Sequence, residues 1–289
     1  RIKPVNIGGV VVSNATLHNE DEIIRKDIRL HDTVKIERAG DVIPHVISVD
    51  LKKRKKSSKK FVFPKKCPCG FDTTKEFNKV TKKFDAVRRC PDRGFECEKM
   101  AVEKIKHFIS KEALNIDGLG KKVVEKFWDL KLIRFPQDIF NLDYTQISKL
   151  EGWGDLSVSN LKFSIDQSKK VSLDKFLYSI GIRHIGIENA KLLAEYTKSI
   201  SNFLNFIKNK KINEFLNIDG IGDTQINSLK KFFENKSNYK IIEKLSFILD
   251  ISDLKLNKNG KLLNNTFMFT GKLSNMSRAE AKSLIEENS

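Results

Sequence analysis

The chain has 289 residues, with 54 Lys or Arg against 37 Asp or Glu and a net charge of +17. Its length allows two to four domains, and its positive excess favours a polyanionic partner, nucleic acid first. A membrane partner is disfavoured, because no apolar run approaches a spanning length and no lipidation motif occurs. The opening Arg1-Ile2-Lys3-Pro4-Val5 is not a signal peptide and includes no Met, so the chain is expected to begin inside a longer protein. Four Cys without a secretory signal point to a reducing, cytoplasmic setting, where metal binding outranks disulfides.

From Ile7 to about Phe63 the pattern is mostly strand. Val10-Val11-Val12 is a β-branched run, Val34 and Ile36 alternate with Lys35 and Glu37, and His45, Ile47, Val49 and Leu51 alternate with Val46, Ser48 and Asp50. Asn19 with Glu22 three residues on is a capping-box pattern for a short helix. Ala39-Gly40-Asp41 marks a turn. Short strands with one small helix suit a small β-barrel such as an OB-fold, or the edge of a β-sandwich. Residues 52–66 then carry nine Lys or Arg and no acid, which reads as a solvated, mobile loop able to steer phosphates.

Cys67, Cys69, Cys90 and Cys97 are the four cysteines, and two pairs across a loop suggest a structural zinc held by four thiolates over residues 64–98. The alternative is a set of thiols that has lost its metal. The first pair is Cys-x-Cys, tighter than the usual knuckle. His107 is a possible substitute ligand, though a helix-surface role is the simpler one.

From about residue 98 the pattern turns helical, with Val102, Ile105 and Ile109 on one stripe. One short motif then recurs. It appears as Ile116-Asp117-Gly118-Leu119-Gly120, Leu150-Glu151-Gly152-Trp153-Gly154, Ile182-Arg183-His184-Ile185-Gly186 and Ile218-Asp219-Gly220-Ile221-Gly222, so that the last glycines stand 34, 32 and 36 residues apart. A near-constant period marks a repeated unit, here across residues 99–256, with Pro136 separating one unit from the next. A Gly-x-Gly turn reverses the chain tightly and exposes the unpartnered amides and positive dipole end of the following helix, a natural seat for phosphate. Lys121, Lys122 and Arg183 suit an anion. Any one copy could be an ordinary helix–helix turn, whereas four in so basic a chain read as helix-hairpin-helix motifs gripping a nucleic-acid backbone. Phe127, Trp128, Phe176, Phe203, Phe206, Phe232 and Phe233 fall at helical spacing and read as core. After a linker at Asn257-Lys258-Asn259-Gly260, residues 264–289 offer Phe267-Met268-Phe269 as a strand, Thr270-Gly271 as a turn and Ser277-x-x-Glu280 as a helix cap, the start of an α/β domain that cannot close a core alone.

Taken together, the chain resembles the bacterial NAD-dependent DNA ligases. The resemblance is carried by Ala15-Thr16-Leu17-His18-Asn19, by Arg38-Ala39-Gly40-Asp41-Val42-Ile43-Pro44, by the four cysteines, by the glycine repeats, and by Phe269-Thr270-Gly271 with Met276-Ser277-Arg278-Ala279-Glu280. It implies a multidomain chain: an OB-fold at 1–63, a four-cysteine zinc finger at 64–98, an all-α helix-hairpin-helix domain at 99–256 and a partial BRCT domain at 264–289. It further implies structural Zn2+ here, NAD and Mg2+ for the intact enzyme only, nicked double-stranded DNA as partner, a preceding adenylation domain, no membrane, a monomer, and the bacterial cytoplasm and nucleoid as location. The OB-fold would lie over the minor groove beside the nick and the hairpins would hold phosphates on both sides. The zinc finger would brace the two.

The expected DNA contacts are Gly118, Gly120, Lys121, Lys122, Gly152, Gly154, Arg183, Gly186, Gly220, Gly222 and Arg38, the last with a strand-end salt bridge as its alternative. Three departures from the family stand out: the Cys-x-Cys pair, His184 in place of glycine, and the lack of a Lys-x-Asp-Gly nucleophile. Both Asp-Gly pairs have Asn at the lysine position, Asn115 and Asn217, so the chain alone is expected to be inactive. The other reading is a non-catalytic nucleic-acid-binding repair scaffold built from the same modules. A nuclease or glycosylase is weaker, because no carboxylate cluster or Lys/Asp pair follows a hairpin.

Overall fold

The structure is a computed structural model that describes residues 1–38, 43–78, 82–91 and 94–253, with 262, 265, 267, 268, 281, 284 and 285 beyond. The Ala39-Gly40-Asp41 turn, the Asn257-Lys258-Asn259-Gly260 linker, and the Thr270-Gly271 turn and Ser277-x-x-Glu280 cap lie outside those residues. Phe267 and Met268 are described, and they are irregular rather than strand. The chain divides into two compact units, residues 1–92 and 93–289.

In the first unit, β1 (Val5–Ile7) pairs antiparallel with β2 (Val10–Val12). Gly8 and Gly9 between them both take positive φ, 59° and 80°, which fits a two-residue hairpin. Helix α1 (Glu20–Arg25) begins at Asn19, whose side chain accepts the Glu22 amide at 3.0 Å. Only half of the capping box forms, because the Glu22 carboxylate turns instead to Arg25 and Lys26. β3 (Val34–Glu37) pairs with β4 (His45–Val49), and a bulge falls between Lys35 and Ile36. In β4 the buried side chain is Val46, while Ile47 is exposed; Leu51 leaves the strand for a 3-10 turn, Leu51–Lys53. Isolated bridges join Thr16 to His45 and Arg29 to Lys60.

Among the described residues of this unit the buried apolar side chains are Val12, Ile23 and Val46. So thin a core stabilises little, and small units of this kind lean on ion pairs or a metal. Two ionic clusters are present. In one, Glu20 of α1 receives Arg88 Nε at 2.7 Å and Lys75 Nζ at 3.2 Å, and Arg88 first, despite opposing burial, lowers its pKa. In the other, Arg54 bridges Asp27 and Asp32, with Arg29 also on Asp27. Arg29 and then Arg54 push the Asp27 carboxyl down to about 2, and Arg54 likewise lowers Asp32. Carboxylates held low stabilise the fold above their unfolded range near pH 4, and that contribution is lost as pH falls toward 2.

The cysteine-bearing segment is built from short pairings. Thr74 and Arg89 exchange backbone hydrogen bonds, and β5 (Phe77–Asn78) pairs with β6 (Lys83–Phe84). That ladder returns the chain so that Cys90, next to Arg89, comes back beside Cys69.

The second unit is helical. α2 (Glu98–Phe108) and α3 (Lys121–Asp129) precede a 3-10 turn, Pro136–Asn141, in which Asp138 Oδ2 accepts the Arg134 and Phe135 amides. Then come α4 (Tyr144–Ile147), α5 (Asp155–Ser168), β7 (Lys170–Ser172), α6 (Leu173–Ser179), α7 (Ile187–Thr197) and α8 (Ile200–Lys208). After the 3-10 turn Ile212–Asn217 follow α9 (Asp223–Glu234), α10 (Lys236–Ile248) and β8 (Asp250–Ser252). β7 and β8 pair in parallel, tying the end of the helical array to its middle. Phe127, Phe176 and Phe203 are fully buried, Trp128 and Phe232 nearly so, and Phe206 and Phe233 pack partly buried against them. The aromatics are core, as their spacing predicts. Each such ring removed from water contributes about 1.5–3 kcal/mol.

Candidate nucleic-acid interface and metal centre

All four glycine motifs form the same turn. The residue before the middle apolar position has positive φ: Gly118 at 87°, Gly152 at 85°, His184 at 62° and Gly220 at 90°. In the last three copies an amide closes the turn onto the carbonyl three residues back: Trp153 to Leu150, Ile185 to Ile182 and Ile221 to Ile218. A type II turn requires that left-handed residue, and glycine reaches it without Cβ strain. His184 takes the same conformation, so the third copy keeps the shape of the others despite its side chain.

The second glycine of each motif is different. Gly120, Gly154, Gly186 and Gly222 are the N-caps of α3, α5, α7 and α9, all with negative φ that any residue adopts. A Cβ on Gly120, Gly154 or Gly186 would meet nothing within 4 Å. Neither backbone strain nor internal packing explains three glycines at these exposed positions. What their missing side chains leave is direct access to helix-opening amides.

The apolar anchors hold each turn against the core and leave the rest in solvent. Ile116, Leu119, Ile182, Ile185 and Ile221 are buried, while every motif glycine and His184 are exposed. The first two hairpins also pack reciprocally. The Asp117 amide donates to Ser164 Oγ of α5 at 2.7 Å, and Gly118 lies against Leu161 of the same helix. In return, Lys126 of α3 donates to the Glu151 carbonyl at 3.1 Å, and Trp153 packs on Phe127 of α3 with ring centroids 5.5 Å apart. The fourth turn sits on the helix of the third, Gly220 facing Leu192 of α7.

The four turns are not electrostatically equal. α3 opens with exposed Lys121 and Lys122 and has no acid in its first turn, whereas Asp155, Glu188 and Asp223 open α5, α7 and α9. At the fourth, Gln225 Oε1 already accepts the Gly222 amide at 3.2 Å. Sequence spacing gives no hint of that ranking. Arg38, just past β3, and Arg183, in the third turn, are half-buried and each has an interaction within the chain.

The cysteines come together. The sulfurs of Cys67, Cys69, Cys90 and Cys97 all lie within 4.8 Å of one another, and Cys69 Sγ is 3.6 Å from Cys90 Sγ. A tetrahedral zinc with Zn–S near 2.3 Å needs sulfurs about 3.8 Å apart, so the four residues fit the metal. The one-residue spacing of the first pair is accommodated by a tight turn in which Gly70, at φ 89°, donates its amide to the Cys67 carbonyl at 2.8 Å. His107 stands outside this set. Its Nε2 donates to the Tyr178 carbonyl at 2.8 Å and its ring packs on the Tyr178 ring. If the thiolates hold a metal, chelation is expected to release about one ion per chain and lower the melting temperature of residues 64–98. An unchanged melting profile with no metal detected would exclude a structural site.

Repeated exposed turns of this geometry define a helix-hairpin-helix protein, and its similarity to known proteins agrees. Residues 1–58 match the NAD-dependent DNA ligase OB-fold domain, and residues 175–242 match the helix-hairpin-helix motif. A DNA ligase of Pelagibacter ubique is 66% identical over all of this chain and 43% of its own length. DNA ligases of the Wolbachia of Culex pipiens and of Parvibaculum lavamentivorans are 46% and 41% identical over 96% and 99% of this chain, each matched over 42% of its own length. The chain thus spans less than half the length of the curated relatives it matches. It belongs to the bacterial NAD-dependent DNA ligase family and corresponds to a C-terminal portion of its members. No helix among the described residues is long and apolar enough to cross a membrane.

Proposed function

We propose that this chain is the duplex-gripping portion of an NAD-dependent DNA ligase that seals nicks in the bacterial cytoplasm, and that it acts as a monomer. The observation that carries the reading is the set of exposed N-cap glycines at 120, 154 and 186, which neither backbone strain nor close packing requires and which leave the helix-opening amides uncovered. Backbone amides aimed at phosphates grip duplex without reading sequence, as a nick-sealing enzyme requires. The first hairpin, with Lys121 and Lys122, makes the strongest contact. The second and third follow, and the fourth is the weakest because its amide and dipole are already answered within the chain. Arg38 and Arg183 add charge beside the OB-fold and third-hairpin contacts.

The division into an OB-fold at 1–63, a zinc finger at 64–98, hairpins at 99–256 and a BRCT start at 264–289 is part of this proposal. Zinc held by Cys67, Cys69, Cys90 and Cys97 would keep the thin first unit folded. In the intact enzyme a lysine of an adenylation domain would take AMP from NAD, with Mg2+, releasing nicotinamide mononucleotide. The AMP would pass to the 5′-phosphate at the nick, and the 3′-hydroxyl would displace it to form the phosphodiester. Nucleophilic catalysis of this kind splits one hard displacement into easier ones. Asn115 and Asn217 stand where such a lysine would, both leading into hairpin turns, so this chain contributes grip and not the nucleophile.

Binding to nicked and intact duplexes of several sequences across a salt series tests the reading. Affinity should be indifferent to sequence and fall steeply with salt, because phosphate contacts release counterions. A flat salt response would overturn it.

A further inference from the structure

The lysine-rich run after β4, whose composition reads as a solvated loop, makes defined contacts with the rest of the first unit. Its backbone is hooked to the first unit at several points. The Asp50 amide donates to the Thr33 carbonyl at 2.8 Å, Ser58 Oγ donates to the Leu30 carbonyl at 3.3 Å, and Lys60 bridges to Arg29. Arg29 Nη1 also donates to the Ser58 carbonyl at 3.1 Å.

The main hook is Arg54. Its Nε and Nη2 donate to the two Asp32 carboxylate oxygens at 2.9 and 2.8 Å, and Nη1 donates to Asp27 at 2.6 Å. The Asp32 side chain is 1% exposed and that of Arg54 12%. Arg54 is therefore spent on the fold. A planar guanidinium fork holding two carboxylates fixes geometry as well as charge.

With Arg54 and Ser58 turned inward, Lys52, Lys53, Lys55, Lys56, Lys59 and Lys60 are all exposed. Among the described residues the one carboxylate within ion-pair reach of any of them is Asp50, 3.6 Å from Lys53. Six ammonium groups on about nine residues of restrained backbone form a ledge of fixed positive charge. Exposed Leu51, Phe61 and Val62 flank it.

We infer that this ledge is a second duplex-binding site, separate from the hairpins, whose lysines contact backbone phosphates and whose geometry is set by the buried Arg54–Asp27–Asp32 cluster. Ammonium groups meet phosphates as point charges, and a restrained backbone reduces the ordering cost of engaging several at once. The inference rests on reading the chain as a duplex-binding protein, so its test carries a hairpin arm.

The experiment is fluorescence anisotropy of a labelled 30-base-pair duplex with the full chain across a salt series. The variants are K52Q/K53Q/K55Q/K56Q, the equal-charge control K198Q/K208Q/K210Q/K211Q, and Gly120→Val. The ledge variant should lose about tenfold or more in affinity at 0.1 M salt. Its salt slope should fall by about 0.9 for each lysine that meets a phosphate. A ledge variant within twofold of wild type, while Gly120→Val is weakened, would overturn the ledge and leave the hairpins standing. No binding by wild type would overturn both. Equal loss in the control, or tighter binding of wild type to anionic lipid vesicles than to duplex, would also overturn the ledge.

Arg54→Gln keeps all six lysines and tests the positioning role. It should speed amide exchange across residues 50–60 by about tenfold or more and lower the salt slope, and the charge-neutral D32N/R54Q should lower the slope as well. If that variant unfolds, D32N/R54Q removes the stranded carboxylate with it. An unchanged slope in the folded variant would contradict the positioning role.

Discussion

Gly120→Val should weaken duplex binding by about tenfold or more, the equivalent of losing one charge-assisted hydrogen bond, while the chain stays folded. The two effects separate because of where this glycine sits. Its φ of −65° suits any residue, and a Cβ there meets nothing within 4 Å. Valine at an N-cap costs about 0.5–1 kcal/mol of helix stability, or a few degrees of melting temperature at this size. From outside, however, two methyl groups would stand over the amides of Lys121 and Lys122. Gly222→Val serves as the internal comparison. Its amide is already held by Gln225, and the loss there should stay under about threefold. Equal losses at both positions, read by anisotropy titration, would remove the proposed ranking, and no loss at Gly120 would remove the first hairpin from the interface. Gly118→Val is a poor substitute, because at φ 87° it strains the backbone and alters folding and binding together.

Phe127→Ala should be the costliest single change to stability. The ring is fully buried on α3 and lies 5.5 Å, centroid to centroid, from Trp153 of the second turn. Large-to-small changes at such sites cost about 3–5 kcal/mol. For a unit of 150–250 residues that corresponds to a fall of roughly 6–20 °C. Because Trp153 belongs to the next hairpin, the damage should spread. Amide exchange at Leu150 and Trp153 should accelerate along with that of α3. A melting temperature lowered by less than about 3 °C, or exchange changes confined to α3, would mean that the two hairpins do not brace one another.

The sequence carries some of these features plainly and hides others. The hairpins are legible because a type II turn needs a left-handed residue and leaves a glycine at a steady period. His184 shows the limit of that signal. It holds the same backbone state at 62°, so the turn survives where the glycine letter does not. The aromatic core was legible from helical spacing, as Phe127 and Phe176 show. The parallel pair of β7 with β8 was not, because it joins Val171 to Ile251, 80 positions further on, and each strand is three residues long. The fate of Arg54 was hidden for a related reason. Its run looks like solvated charge, and only the fold brings Asp27 and Asp32 to it from more than twenty residues away. The cysteines lie between these cases. Their types suggest a metal, while the closeness of Cys69 to Cys90 depends on the Thr74–Arg89 pairing that returns the chain.

The grip on duplex DNA is tested most directly by following backbone amide resonances of the isotopically labelled chain as a nicked duplex is added. The expected result is shifts concentrated at Gly120, Lys121, Gly154 and Gly186, with Gly222 moving less. Saturable binding that leaves all four turns unmoved would contradict the proposal that these helix openings hold the phosphates.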